Sequence, residues 1–105
     1  TQYRELLDHP AIQHPVEREW AKNVFWMYGV VLDRPARPVT DALRASGIET
    51  RPFFVGLHEQ TVLGLDGGHF PVTERLSRNG FYLPSGVTLT PDQIGEVAKA
   101  VLDAL

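Results

Sequence analysis

The most regular pattern of apolar and polar positions lies at the end of the chain. Ile94, Val97, Ala98, Val101, Leu102 and Leu105 recur at i, i+3, i+4, i+7, i+8 and i+11, which lines one face of a helix. Thr90-Pro91-Asp92-Gln93 precedes the stripe as a capping box with proline at the first helical position, so the pattern predicts a capped helix packed on a sheet. A second helix is predicted from about Pro38, with Val39, Ala42 and Leu43 facing inward and Gly47 as the left-handed stop. A third, short helix is predicted to open at Phe70-Pro71, carry Val72 and Leu76, and end at Asn79-Gly80.

Strands are read where the helical period fails and β-branched and aromatic residues crowd together. The run from Asn23 to Leu32 predicts a long, largely buried strand closed by Asp33-Arg34-Pro35. Ile48 to Phe53 predicts a second strand, which Pro52 confines to a sheet edge or a strand end, and Phe81-Tyr82-Leu83 a short third. Tyr3 to Leu7 reads as the last turns of a helix. The His9-Pro10 and His14-Pro15 pairs then force extended or turning backbone, so residues 1–20 read as a connector and residues 21–105 as one small domain. Strands alternating with helices predict a two-layer α+β fold.

Composition narrows the class. A chain of 105 residues with 43% hydrophobic content suits a single globular domain. A formal charge of −3 with scattered basic residues offers no footprint for nucleic acid, and no apolar run approaches the ~20 residues of a membrane span. The absence of cysteine excludes a disulfide framework, a thiolate metal site and a cysteine nucleophile, and fits a reducing compartment, with the cytoplasm as the expectation. The chain opens at Thr1 without a charged-then-apolar leader, so no signal peptide is expected.

The candidate chemistry is sparse. His9 and His14 each precede proline, and His58 and His69 are separated by a glycine-rich stretch, so no metal-ligand spacing is recognisable and no metal is expected. Pro84-Ser85-Gly86 lacks the strand-to-helix elbow of a hydrolase nucleophile, and Gly64 to Gly68 lacks the lysine of a phosphate loop. The two lysines, Lys22 and Lys99, sit at a strand entrance and on the polar face of a helix, so no catalytic and no cofactor-binding residue is assigned. One segment stands out: from Gly47 through Arg51-Pro52-Phe53-Phe54 to His58 and Gln60, a helix stop, a short strand and a polar-aromatic loop follow directly on each other. Such clusters combine the apolar walls and few polar groups of a ligand pocket. The plain alternative is two core phenylalanines, a solvated arginine and an idle loop histidine.

Trp26-Met27-Tyr28-Gly29-Val30, then Gly47 to Phe54, then Leu57-His58-Glu59-Gln60 resemble, in order and spacing, the C-terminal part of the DegT/DnrJ/StrS sugar aminotransferases. The similarity continues through Phe70-Pro71-Val72-Thr73-Glu74 and Phe81 to Gly86 into the capped last helix, so it covers nearly all of the chain from Val24 onward. Arg51-Pro52-Phe53-Phe54 is most similar to perosamine synthase-type members. The resemblance implies the small C-terminal domain of a fold-type I pyridoxal phosphate enzyme, a short, mainly antiparallel sheet covered by helices that helps to close an active site. It further implies a nucleotide-linked keto-deoxysugar as substrate, a large cofactor-binding domain of the same enzyme as partner, and a homodimeric full protein.

By the same resemblance Phe54 walls the sugar, His58 bonds its hydroxyls, and Arg51 faces the substrate or braces the loop, which makes Arg51, Phe54 and His58 the substrate-side candidates. Pyridoxal phosphate is expected in the parent enzyme and not on this chain alone. The opposed reading is a stand-alone α+β module that binds a small molecule or a protein without catalysis. A free-standing small domain also carries an expectation of exposed apolar surface.

Overall fold

A computed structural model describes residues 2–64 and 68–105. Four helices, α1 (Gln2–Leu6), α2 (Arg37–Ala45), α3 (Pro71–Asn79) and α4 (Pro91–Ala104), combine with four strands, β1 (Ile12–Gln13), β2 (Tyr28–Leu32), β3 (Arg51–Pro52) and β4 (Gly80–Leu83). The strands form one antiparallel sheet in the order β1-β2-β4-β3. The predicted α+β class holds.

The two central strands dictate where the core lies. In their register Tyr28 pairs with Leu83 and Val30 with Phe81, so Tyr28, Val30, Leu32, Phe81 and Leu83 all project to one face, and all five are buried. Val39 and Leu43 of α2, Val97, Ala98 and Val101 of α4, and Tyr3 and Leu7 at the N-terminus close over that face in a single cluster. The α4 cap is as predicted: Thr90 Oγ1 accepts from the Gln93 N–H at 3.2 Å, and Gln93 Oε1 accepts from the Thr90 N–H at 2.9 Å. Gly47 ends α2 with φ +79°, a conformation that disfavours any residue with a Cβ.

The residues before the domain proper do more than connect. Tyr3, Leu7, Ala11 and Ile12 are core residues, and β1 adds a strand beside β2. His14 locks this segment down. Its Nε2 donates to the Leu7 carbonyl at 3.0 Å, which leaves Nδ1 to accept from the Tyr28 hydroxyl at 2.9 Å. Tyr3 donates its hydroxyl to the Pro84 carbonyl at 2.7 Å, and burial pushes its pKa up to about 12.

Several predicted elements are shorter than expected. The strand expected from Asn23 begins only at Tyr28, because Asn23 Oδ1 accepts from the Phe25 N–H and Phe25 takes a left-handed φ of +51°, which turns the backbone out of the sheet. Val24 and Trp26 are consequently exposed. The strand expected over Ile48–Phe53 shrinks to Arg51–Pro52 at the sheet edge, where proline costs no ladder bond. Ala42 was expected to face inward and is exposed, at the rim of an open groove between α2 and α4. The turn expected over Gly64–Gly68 lies largely outside the described residues, although Gly64 has the left-handed φ of +61° that a turn there needs.

The opposite face of the sheet is covered differently. Gly29 and Gly80 project no side chain there, and the Phe53 ring fills the space: a Cβ on Gly29 would lie 2.9 Å from it, and one on Gly80 2.4 Å. Phe53 also packs on Tyr82, with ring centroids 4.6 Å apart. Expected in the core, Phe53 instead forms a separate small aromatic layer behind the sheet.

Candidate functional site

Two neighbourhoods at the β3 end of the sheet hold the residues singled out from the sequence. The first is an open cleft of about 600 Å³ between the edge of β4, the segment around Trp26 and the start of α4. Trp26, Arg51, Tyr82, Ser85 and Glu96 contribute to its lining. Arg51 stands there because β3 pairs with β4 in the register Arg51 to Tyr82. Phe54, 77% exposed, lies just beyond, its ring 6.3 Å from that of Tyr82. Arg51 and Phe54 thus flank one tyrosine, and Trp26, 81% exposed, adds a second aromatic surface to the cleft.

The second neighbourhood belongs to His58. After Phe54 the backbone makes two 3-10 turns, Leu57–Glu59 and Thr61–Leu63, and Gln60 Nε2 donates to the Val55 carbonyl at 3.2 Å to hold the first. His58 sits inside that turn with its side chain only 9% exposed. Its Nε2 lies 3.3 Å from Glu74 Oε1 on α3 and 3.6 Å from Glu59 Oε1. The Phe70 ring is tilted over the imidazole with centroids 4.8 Å apart. Gly56 backs onto the ring so closely that a Cβ there would lie 2.7 Å from its Cε1.

Charge surrounds this histidine. His69 Nδ1 lies 3.7 Å from Glu74 Oε2, and Arg78 reaches Glu59 at 3.4 Å. Partial burial alone would raise the Glu74 carboxyl. The hydrogen bond from His58, helped by the charges of His69 and Arg78, outweighs that and holds it below the usual carboxylate value. His58, Glu59 and Glu74 offer ligand atoms within 4.8 Å of one another, the one group of that kind among the described residues. The same atoms already face each other, with Nε2 of His58 directed at both carboxylates.

The three substrate-side candidates are therefore divided. Arg51 and Phe54 share the cleft side through Tyr82, whereas His58 is enclosed in the charged cluster under α3. Glu59, Glu74 and Arg78 were missed by sequence reasoning. Glu74 lies 16 residues from His58, and no local periodicity reports a contact made by folding α3 back onto the loop. Trp26 was read as part of a strand, so its place on the cleft was not foreseen.

Pyridoxal phosphate, the cofactor implied by the resemblance, is held by its enzymes through a lysine Schiff base. Lys22 is exposed and away from the cleft lining, and Lys99 is paired with Asp103 at 2.8 Å on the outer surface of α4. The residues of this chain do not fit the cofactor, and no chemical step is derived through it.

Comparison with known proteins places this geometry. The profile of the DegT/DnrJ/EryC1/StrS aminotransferase family matches residues 1–102. DesI, solved in the presence of its TDP-sugar product, is 30% identical and superposes with a TM-score of 0.84 over 98% of this chain and 29% of that one. The aminotransferase TlmJ from Streptoalloteichus hindustanus is 21% identical, with a TM-score of 0.87 over 98% of this chain and 29% of that one. A DegT DnrJ EryC1 StrS aminotransferase from Brucella abortus is 21% identical, with a TM-score of 0.80 over 97% of this chain and 28% of that one. No curated protein matches. The chain spans under a third of the length of each of these structures, and it belongs to the DegT/DnrJ/EryC1/StrS aminotransferase family.

Proposed function

We propose that this chain is the C-terminal small domain of a pyridoxal phosphate-dependent aminotransferase that aminates a nucleotide-linked keto-deoxysugar. In this reading residues 21–105 form the body of the domain, and residues 1–20 lead into it while adding Tyr3, Leu7, Ala11 and Ile12 to its core. The observation that carries the reading is the family match over residues 1–102, together with the 30% identity to DesI, a protein solved with a TDP-sugar. The domain's tasks in this reading are to close the active site and to grip the sugar. The cofactor, acting as electron sink when bound, belongs to the large domain of the same enzyme. A homodimer and a cytoplasmic location complete the proposal.

Surface area supports a missing neighbour. A folded monomer of 11.8 kDa has about 5,900 Å² of accessible surface, whereas this chain exposes 7540 Å². Its radius of gyration of 14.9 Å likewise exceeds the ~13 Å of a compact chain of this length. Trp20, Val24, Trp26, Phe54, Leu57 and Val62 are among the exposed apolar residues, and a docking large domain would remove such surface from water.

Within the proposed enzyme Arg51 supplies a planar guanidinium at the cleft, suited to a nucleotide phosphate, and Phe54 and Trp26 offer faces for a sugar or base. His58 contributes a hydrogen bond. The opposed reading, a stand-alone binding module, draws on the self-contained core that runs from Tyr3 to Val101.

Mixing the purified chain with pyridoxal phosphate, trapping with borohydride and locating any adduct by mass tests the division of labour. No stoichiometric adduct is expected on Lys22 or Lys99. A single-lysine stoichiometric adduct would give the chain its own cofactor site and end the small-domain reading. In a full-length enzyme, Arg51→Ala and Phe54→Ala are expected to raise KM for the sugar about tenfold each, the size of one lost contact of about 1.4 kcal/mol. Unchanged sugar kinetics in both would remove them from the site.

A further inference from the structure

The imidazole of His58 has two edges, and the fold treats them differently. On the Nε2 edge stand Glu74 Oε1 at 3.3 Å and Glu59 Oε1 at 3.6 Å. An ionised carboxylate can only accept, so the hydrogen on that edge belongs to Nε2. On the other edge, Nδ1 has no hydrogen-bond partner among the described residues. Gly56 makes room for it: a Cβ at position 56 would sit 2.9 Å from Nδ1 and 3.0 Å from the Thr73 methyl. Phe70, tilted 57° to the imidazole, packs against the ring face. The titratable and charged groups around the ring are Glu59, Glu74, His69 and Arg78.

From this arrangement we infer that Glu74 is a positioning residue, which holds His58 in the Nε2–H tautomer and so presents Nδ1 as a hydrogen-bond acceptor. The consequence is chemical. A neutral imidazole held this way selects a ligand group that donates, a sugar hydroxyl or an amine N–H, over one that only accepts, such as a phosphate oxygen. Glu59 alone cannot do the same. It lies farther from Nε2 and is shared with Arg78, whereas Glu74 reaches across from a different element and ties the 3-10 turn to α3. The functional meaning rests on the substrate-side role proposed above for His58, but the positioning itself does not.

The test uses the chain labelled with 15N-histidine and long-range proton–nitrogen correlation near pH 9, about two units above the ordinary imidazole range. The expected spectrum shows His58 with a protonated, pyrrole-like Nε2 and an unprotonated, pyridine-like Nδ1. Glu74→Gln keeps an acceptor oxygen and should keep that pattern. Glu74→Leu combined with Glu59→Ala removes both acceptors and should move the two nitrogens toward a mixed average, with amide dispersion confirming the fold. The wild-type spectrum decides even if the double variant unfolds: a protonated Nδ1 at His58 overturns the inference. So does a tautomer unchanged in the folded double variant.

In a full-length enzyme, Glu74→Leu should raise KM for the sugar about tenfold, the effect of one misdirected hydrogen bond. If the spectra are as expected and His58→Ala leaves KM unchanged, the substrate-side reading falls while the tautomer assignment stands.

Discussion

The two faces of one small sheet are held by different means. On the inner face β2 and β4 present Tyr28, Val30, Leu32, Phe81 and Leu83 to three helices, and every one of these side chains is buried in a single apolar cluster. On the outer face the same strands present Gly29, Val31, Gly80 and Tyr82, and cohesion comes from one phenylalanine lying on two glycines, from buried Val31 and from the polar contacts under α3. The inner face is stabilised by apolar area removed from water. The outer face stays open, with Arg51, Phe54 and Trp26 near one cleft, the side chains proposed above to meet the sugar.

Substitutions can break this contrast. Phe81→Ala, at the centre of the inner face, should cost about 3–5 kcal/mol in denaturant unfolding, enough to unfold much of the chain at ambient temperature. A cost under about 1 kcal/mol would mean that the cluster is not the stabilising half. Gly80→Ala comes next, at about 1–3 kcal/mol, because its methyl meets both the Phe53 ring at 2.4 Å and the Leu76 carbonyl oxygen at 2.6 Å. Gly29→Ala meets only the ring ends of Phe53 and Tyr82, so Phe53→Leu should relieve Gly29→Ala and leave Gly80→Ala uncorrected. Equal rescue of both would show that α3 yields at Leu76. Thr90→Ala removes the α4 cap and should cost about 1 kcal/mol, read as a drop in thermal midpoint.

The charged cluster predicts a smaller effect with a defined sign. Glu74 is held below its ordinary value of 4.5, so its ionised form stabilises the fold above that value, and the contribution is lost as pH falls through the lower folded value. Glu74→Gln should therefore lower stability near neutral pH and flatten the acid limb, with the two proteins converging at low pH, as followed by urea unfolding. An unchanged acid limb would mean that His58 and Glu74 do not pair in solution. Smallest of all, Phe54→Ala should shift stability by no more than about 0.5 kcal/mol, since the ring is largely in water. Under the role proposed above, its effect is expected in sugar binding instead.

Legibility followed the range of the interactions. The α4 stripe, its capping box and the Gly47 stop were readable because each is settled by residues within a few positions of one another. The Arg51-to-His58 segment was readable as a candidate by its composition. The strand over 23–32 was overread, because β-branched and aromatic residues occur there without the Asn23 turn and the left-handed Phe25 being visible in propensity. β1 was not foreseen at all: its two residues are a strand only because Ile12 meets Leu32 and Gln13 meets Val31.

By itself, the sequence determined the helices, the α+β class and the family, since helical period, caps and motif order are local properties of the chain. Only the tertiary structure decided that Phe53 lies on Gly29 and Gly80, that Arg51 and Phe54 flank Tyr82, and that Glu74 meets His58. Each of these contacts joins positions far apart along the chain, and its free energy appears only once the sheet register and the seat of α3 bring the two partners together.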